Sequence, residues 1–167
     1  MRQFLFILAV TLCFTLNVHT QELNIVDGKY TSVFYVQTDS LSFDQIISAL
    51  ETNHYKDKNP VVKYKNKGAE MFLIEYGFNW RKDPVGRWWN VIMPCRCTLS
   101  GNTIKVTMED FKLEYYKTNE KDSDIGRTVF ESGKGHLSDE SKASLLVGVQ
   151  FVKKDIEEIL KKSAEYW

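Results

Sequence analysis

Five residues have side chains whose type and spacing could do chemistry: Cys95, Cys97, Trp80, Trp88 and Trp89. The cysteines stand at i and i+2 in "MPCRCTLSGN", and on a strand such a pair points to one face. The same alternation places Val91, Met93 and Leu99 beside them. That face is therefore apolar, and the first expectation is a pair of buried, inert thiols. A disulfide between Cys95 and Cys97 is the chemical alternative. It would be strained, because two strand steps of about 3.3 Å each bring the Cα atoms to the outer limit of a bridge. A metal site is the next alternative, but a closed zinc site wants four N or S ligands. Beyond the N-terminal segment only His54 and His136 could add to the set, and neither has ligand spacing to the cysteines. A Cys–His nucleophile lacks a Gly-flanked thiol and a helix N-terminus to lower its pKa.

The tryptophans flank the loop from Arg81 to Arg87. Trp88 and Trp89 are adjacent, so on a strand they point to opposite faces. One can join the core; the other needs a second apolar surface or stays exposed. Trp80, Trp88 and Trp89 are thus the candidate binding surface, an aromatic platform for a glycan, a peptide or an apolar ligand. The competing expectation is that they pack beneath a helix or cover a sheet edge. The chain shows no phosphate-cradling glycine loop, no His-Glu metal helix, no paired-carboxylate motif and no serine elbow. No catalytic residue, metal ligand or cofactor is expected.

These residues must be held by the elements around them. Lys29 to Thr38, "KYTSVFYVQT", is rich in aromatic and β-branched residues and predicts a strand. Ser42 and Gln45 form a capping box, with Leu41 and Ile46 as its staple. Phe43, Ile46, Ile47 and Leu50 then follow helical spacing as far as Asn53 or the segment Asp57 to Pro60. Val61 to Lys65 and Glu70 to Asn79 predict two strands joined at Asn66-Lys67-Gly68. In the second, Phe72, Ile74, Tyr76 and Phe78 share one face while Met71 and Leu73 begin the other. Trp88 to Leu99 is a third long strand. Pro94 cannot donate to a ladder, which predicts an edge or a bulge there. Ser100-Gly101-Asn102 turns the chain into Thr103 to Tyr116. There Ile104, Val106 and Met108 alternate with Lys105, Thr107 and Glu109, and Asp110 marks a bend. Residues 117–137 are polar and predict a long surface loop with a short strand at Thr128 to Phe130.

Ser138 or Asp139 caps the last helix, which runs to about Ala164. Leu145, Leu146, Val149, Val152, Ile156, Ile159 and Leu160 form its stripe. Glu157 with Lys161 and Glu158 with Lys162 stand at i, i+4. At roughly 40 Å long, this helix must lie across something large and apolar, and the sheet is the one candidate. Strand, helix, antiparallel strands, loop and long helix in this order predict an α+β fold: an antiparallel sheet packed by an N-terminal helix and a long C-terminal helix.

The N-terminus sets the destination. Arg2, the apolar run Phe4 to Leu16, and Val18 and Thr20 before Gln21 have the layout of a secretory signal peptide. The run is too short for a spanning helix. Cys13 is followed by Phe14, Thr15 and Leu16, which continue the run, so it belongs to the removed segment. The expected organisation is a signal peptide at 1–20 and one α+β domain at 21–167. That domain comprises a core over 22–116, a polar loop over 117–137 and a C-terminal helix over 138–165. The chain carries 22 basic and 22 acidic residues. With no basic tract, the balance argues against nucleic acid as a partner.

"IVDGKYTSVFYVQTDSLSFDQI" resembles the opening of a family of exported bacterial proteins, a domain of unknown function with a TBP-like fold. The Asp27-Gly28-Lys29 turn, the strand after it and the Ser-started helix carry the resemblance. "CTLSGNTIKVTMEDF" is similar to the family's second recurring piece, and a long last helix ending near Trp167 is similar as well. Helices of the family often carry an aromatic and basic residues where this chain has Ile46 to Leu50, a departure from that pattern. The resemblance covers roughly Glu22 to Tyr116. It implies a fold and a cell-envelope destination, periplasmic or secreted, and no activity; a TBP-like fold does not by itself imply DNA binding. The expected function is a non-catalytic binding or interaction module, its partner an envelope protein, a glycan or a small ligand. The alternative is a small enzyme or a metal or redox protein using the Cys95/Cys97 region.

Overall fold

The computed structural model describes residues 23–26, 29–57, 59–82, 88–116, 126–129 and 139–166. At 54–57, 78–82, 88–90, 113–116, 126–129, 140 and 141 the description is of the backbone alone. The expected signal peptide at 1–20 and most of the expected loop at 117–137 lie outside the described residues.

The elements follow the order β1 (Asn24–Val26), β2 (Lys29–Gln37), α1 (Phe43–Asp57), β3 (Val61–Asn66) and β4 (Met71–Lys82). Then come β5 (Trp88–Ser100), β6 (Thr103–Met108), β7 (Lys112–Tyr116), β8 (Gly126–Val129) and α2 (Asp139–Ala164). Every strand pairing is antiparallel, and the order across the sheet is β1-β2-β6-β5-β4-β3. β7 runs beside β5 beyond the end of β6, and β8 pairs with β7. Asn24 to Val26 adds a short edge strand to β2.

α1 begins as its capping box predicts. The Ser42 N–H donates to Gln45 Oε1 at 2.8 Å, and the Gln45 N–H donates to Ser42 Oγ at 3.4 Å. Leu41 and Ile46 are both buried, as a staple requires. Past α1, the Asn59 side chain behaves like a strand residue: its Nδ2 donates to Gly77 O at 2.8 Å and its Oδ1 accepts from Gly77 N at 3.1 Å. The β3–β4 connection is shifted one residue toward the C-terminus of where the turn is expected. Asn66 Oδ1 caps a single 3-10 turn at Lys67–Ala69, and Glu70 closes it in the left-handed region. The β5–β6 turn is a two-residue hairpin with Ser100 opposite Thr103, and the φ of +58° at Gly101 suits a residue without a Cβ.

The sheet has a covered face and an open one. Phe72, Ile74 and Tyr76 of β4, the odd positions Val91 to Leu99 of β5, and Ile104, Val106 and Met108 of β6 are buried. They form one cluster with Ile46, Ile47 and Leu50 of α1 and with Leu145, Val149, Val152, Ile156 and Leu160 of α2. Phe43 and Phe72 meet edge to face at 6.0 Å, pinning α1 to β4. α1 also contacts β3 and α2, and α2 contacts β2, so both helices pack on the same side. The α2 ion pairs differ from those expected. Glu157 and Glu158 reach back to Lys153 (3.9 Å) and Lys154 (3.8 Å), the preceding turn's lysines, rather than forward to Lys161 and Lys162.

Pro94 requires a correction. β5 is neither an edge strand nor bulged at that position: it pairs with β4 on one side and with β6 and β7 on the other. The interruption lies in its neighbour. β6 pairs up to Met108 opposite Cys95, and β7 resumes with Lys112 opposite Ile92. Between them Asp110 takes a φ of 57°. The Leu99 N–H donates to Glu70 O on the β4 side at 2.8 Å, so alternation turns the even positions toward β6 and β7. The donor that Pro94 lacks would therefore have faced the gap. The imino acid costs no ladder bond because its partner strand bends away there.

Candidate interaction surface and the buried thiols

The two cysteines sit on the covered face, where alternation puts them. Both are free thiols and fully buried. Cys95 lies between Ile74 and Met108, and Cys97 between Phe72 and Val106. Each Sγ reaches toward a backbone carbonyl two residues back, Met93 O at 3.5 Å for Cys95 and Cys95 O at 3.8 Å for Cys97. Burial pushes both thiols well above the usual cysteine range; for Cys95 the neighbouring Cys97 and Glu75 add to it. Burial behind two helices and a raised pKa both work against a thiol acting as a nucleophile or a metal ligand. Among the described residues no group of three or more His, Cys, Asp or Glu could hold a metal ion. His136 lies outside the described residues, and His54 is described only as backbone on α1.

Beside the thiols is a polar contact the sequence reading missed. The Tyr76 hydroxyl, on the covered face opposite Met93, donates to Asp155 Oδ2 of α2 at 2.9 Å. Burial first, and then the Asp155 carboxylate, push the phenol far above the usual tyrosine range. The bond satisfies a buried hydroxyl and fixes α2 against β4 at one point. A signal for it exists in the sequence. Asp155 follows Val152 by three residues and precedes Ile159 by four, so it falls on the apolar stripe, where a carboxylate needs a partner.

Trp80, Trp88 and Trp89 are brought to one end of the sheet, on β4 and β5. Trp80 occupies the bulge between Asn79 and Arg81. Trp88 lies opposite Lys82 and Tyr116, and Trp89 opposite Arg81 and Tyr115. Their side chains lie outside the described residues.

The open face is the surface the sequence did not single out. The strand registers give its rows directly. Val33, Thr107, Arg96, Leu73 and Tyr64 form one row across five strands. Tyr35, Lys105, Thr98, Met71 and Asn66 form the next. An antiparallel sheet with one solvated face ordinarily carries polar residues there. Here Val33 is 43% exposed, Tyr35 57% and Tyr64 46%, while Met71 and Leu73 are half-buried. The charges on the same face are largely paired: Arg96 with Glu109, Lys29 with Asp110 at 2.6 Å, and Lys63 with Glu75 at 3.1 Å. A concavity of about 600 Å³ lies between β1, β2, β6 and β5, lined by Val26, Val33, Arg96, Thr98, Lys105 and Thr107 among others. The signal was present in β2, where apolar residues occupy both alternation phases: Phe34 and Val36 on one, Val33 and Tyr35 on the other.

No protein-family model matches this chain, and no curated protein matches it. Solved structures do. A TBP-like protein from Parabacteroides distasonis superposes with a TM-score of 0.56 at 14% identity, over 83% of this chain and 97% of that one. A DUF4468 family protein from Bacteroides ovatus superposes with a TM-score of 0.54 at 13% identity, over 88% of this chain and 91% of that one. These are bacterial proteins of the kind the sequence resembles. At such low identity the likeness carries the architecture: an antiparallel sheet covered on one face by two helices, the TBP-like α+β fold.

Proposed function

We propose that this protein is an exported, non-catalytic binding module of the cell envelope, and that it binds through the uncovered face of its sheet. One observation carries the reading: among the described residues no other element packs on this face, and Val33, Tyr35 and Tyr64 stay exposed in line with Met71 and Leu73. Exposed apolar and aromatic groups interleaved with Arg and Thr are the composition of an interface rather than of a solvated sheet. The layout of residues 1–20 supports export. Among the described residues no helix is long and apolar enough to cross a membrane. The burial and neutral state of Cys95 and Cys97 give the metal or redox alternative no support.

The test uses a photo-reactive benzoylphenylalanine placed in the full chain in its native cell, at Tyr35 on the open face and at Val147 on the exposed side of α2. The expected result is a discrete adduct from Tyr35 and none from Val147, in a protein whose N-terminus is Gln21 or close to it. Adducts from Val147 alone would sink the open-face assignment. An intact Met1 on the mature protein would sink export.

A further inference from the structure

Resting on the binding reading above, we infer that the open face takes an acidic protein surface, a patch of carboxylates set among apolar side chains, centred on Lys105. The chain balances 22 basic against 22 acidic residues, but the concavity does not: Lys29, Arg96 and Lys105 line it against the single carboxylate of Glu109. Arg96 is engaged by Glu109, and Lys29 by Asp110 at its rim. Lys105 makes no ion pair among the described residues. It stands exposed between Tyr35 on β2 and Thr98 on β5. Lys112, opposite Ile92 on the same face, makes no ion pair among the described residues either. The positions of β5 opposite these two lysines are Thr98 and Ile92, about 20 Å apart at strand rise.

That spacing selects the partner class. A nucleic-acid strand repeats a phosphate at every nucleotide, about every 3.4 Å of helix axis on each strand of a duplex, and is held by a run of cations. An acidic polysaccharide likewise repeats its charge along the chain. Among the described residues the uncompensated cations of this face are two lysines far apart, with Val33 and Tyr35 beside Lys105, and that pattern matches neither. It matches a folded or extended polypeptide whose carboxylate meets Lys105 while an apolar neighbour covers Val33 and Tyr35. Such complementarity steers encounter and fixes register, and the apolar contact supplies the area.

The experiment titrates the purified, isotope-labelled exported protein with a random Glu–Tyr copolymer and follows amide shifts. The expected shifts fall on Val33, Tyr35, Thr98, Lys105 and Thr107 and spare α1 and α2. Lys105→Glu should weaken the apparent affinity at least tenfold and Lys105→Gln severalfold. Lys161→Glu, the same charge change on the helix layer, should leave it unchanged. The amide spectrum of each variant reports its folding in the same measurement. Copolymer shifts mapping to the helices, or an affinity indifferent to Lys105→Glu, would overturn the inference. Shifts on the open face with heparin or with a fifteen-residue oligo-dT, but not with the copolymer, would overturn the protein-partner assignment and leave the open-face reading standing. Silence toward all three would overturn the inference and count against the open-face reading too.

Discussion

The two faces of this sheet are built from the same strands by alternate residues, and they have opposite fates. On the face beneath α1 and α2, even the groups with chemistry in them are made inert. Cys95 and Cys97 are kept neutral by burial, and Tyr76 is tied to Asp155. On the other face the side chains are milder in type but available. Exposure, rather than residue type, decides which groups can meet a partner. Among the described residues the thiols sit buried beneath the helices, and valine, tyrosine, threonine and lysine sit where a partner can reach them.

The sharpest way to break the comparison is to place one charge on each face of a single strand. Val106→Asp buries a carboxylate among apolar side chains and should cost more than about 4 kcal/mol, leaving no cooperative thermal transition. Thr107→Asp, one residue on, should stay within about 0.5 kcal/mol of the parent. Equal melting points for the two would refute the one-sided packing. A truncation pair on β4 comes next. Phe72→Ala should lose roughly 3–5 kcal/mol in a urea titration, and Leu73→Ala less than about 1 kcal/mol.

The thiols give a pH-dependent contrast. Below about pH 8.5 they are protonated in both folded and unfolded chains, so their contribution to stability is fully present. Above that the unfolded chain loses those protons while the buried thiols keep theirs. Stability then falls as pH rises, by about 1.4 kcal/mol per pH unit for each thiol. At pH 9.5 the pair should therefore have cost roughly 3 kcal/mol. In a Cys95→Ala/Cys97→Ala variant the decline should begin only near pH 10, where the unfolded chain's counterpart of Tyr76 ionises. Matching curves for parent and variant would contradict the burial of the pair. The smallest effect belongs to the open face. Arg96→Ala removes an exposed ion pair with Glu109 and should change stability by less than about 1 kcal/mol at low salt, with the difference shrinking at high salt.

Much of this architecture was legible in local pattern. The Ser42–Gln45 box, the two helical stripes, and the alternation of Phe72, Ile74 and Tyr76 or of Ile104, Val106 and Met108 each depend on residues a few positions apart. Those signals survived into the structure unchanged. Where the reading failed, the cause was a neighbour distant in sequence. Pro94 reads as an edge or bulge residue because proline has no donor. What accommodates it is the bend at Asp110, sixteen positions on, which nothing around Pro94 encodes. Asp155 falls on the apolar stripe of α2 and so calls for a partner, but that partner, Tyr76, lies 79 residues earlier and nothing near Asp155 identifies it. Trp80, Trp88 and Trp89 stand out by residue type, and their side chains lie outside the described residues; the open face does not stand out because its residues are ordinary in type and distinguished only by their exposure.

The sequence by itself determined the elements, their amphipathic faces and the burial of Cys95 and Cys97, because period-2 and period-3.6 patterns are local and apolar burial drives each face inward. It could not say that both helices pack on one side. Covering β2 with α2 and β3 with α1 is a choice between two sides of a sheet, made by long-range packing and by strand order, and the apolar residues on both phases of β2 fit either outcome. The tertiary structure alone left Val33, Tyr35 and Lys105 in the open.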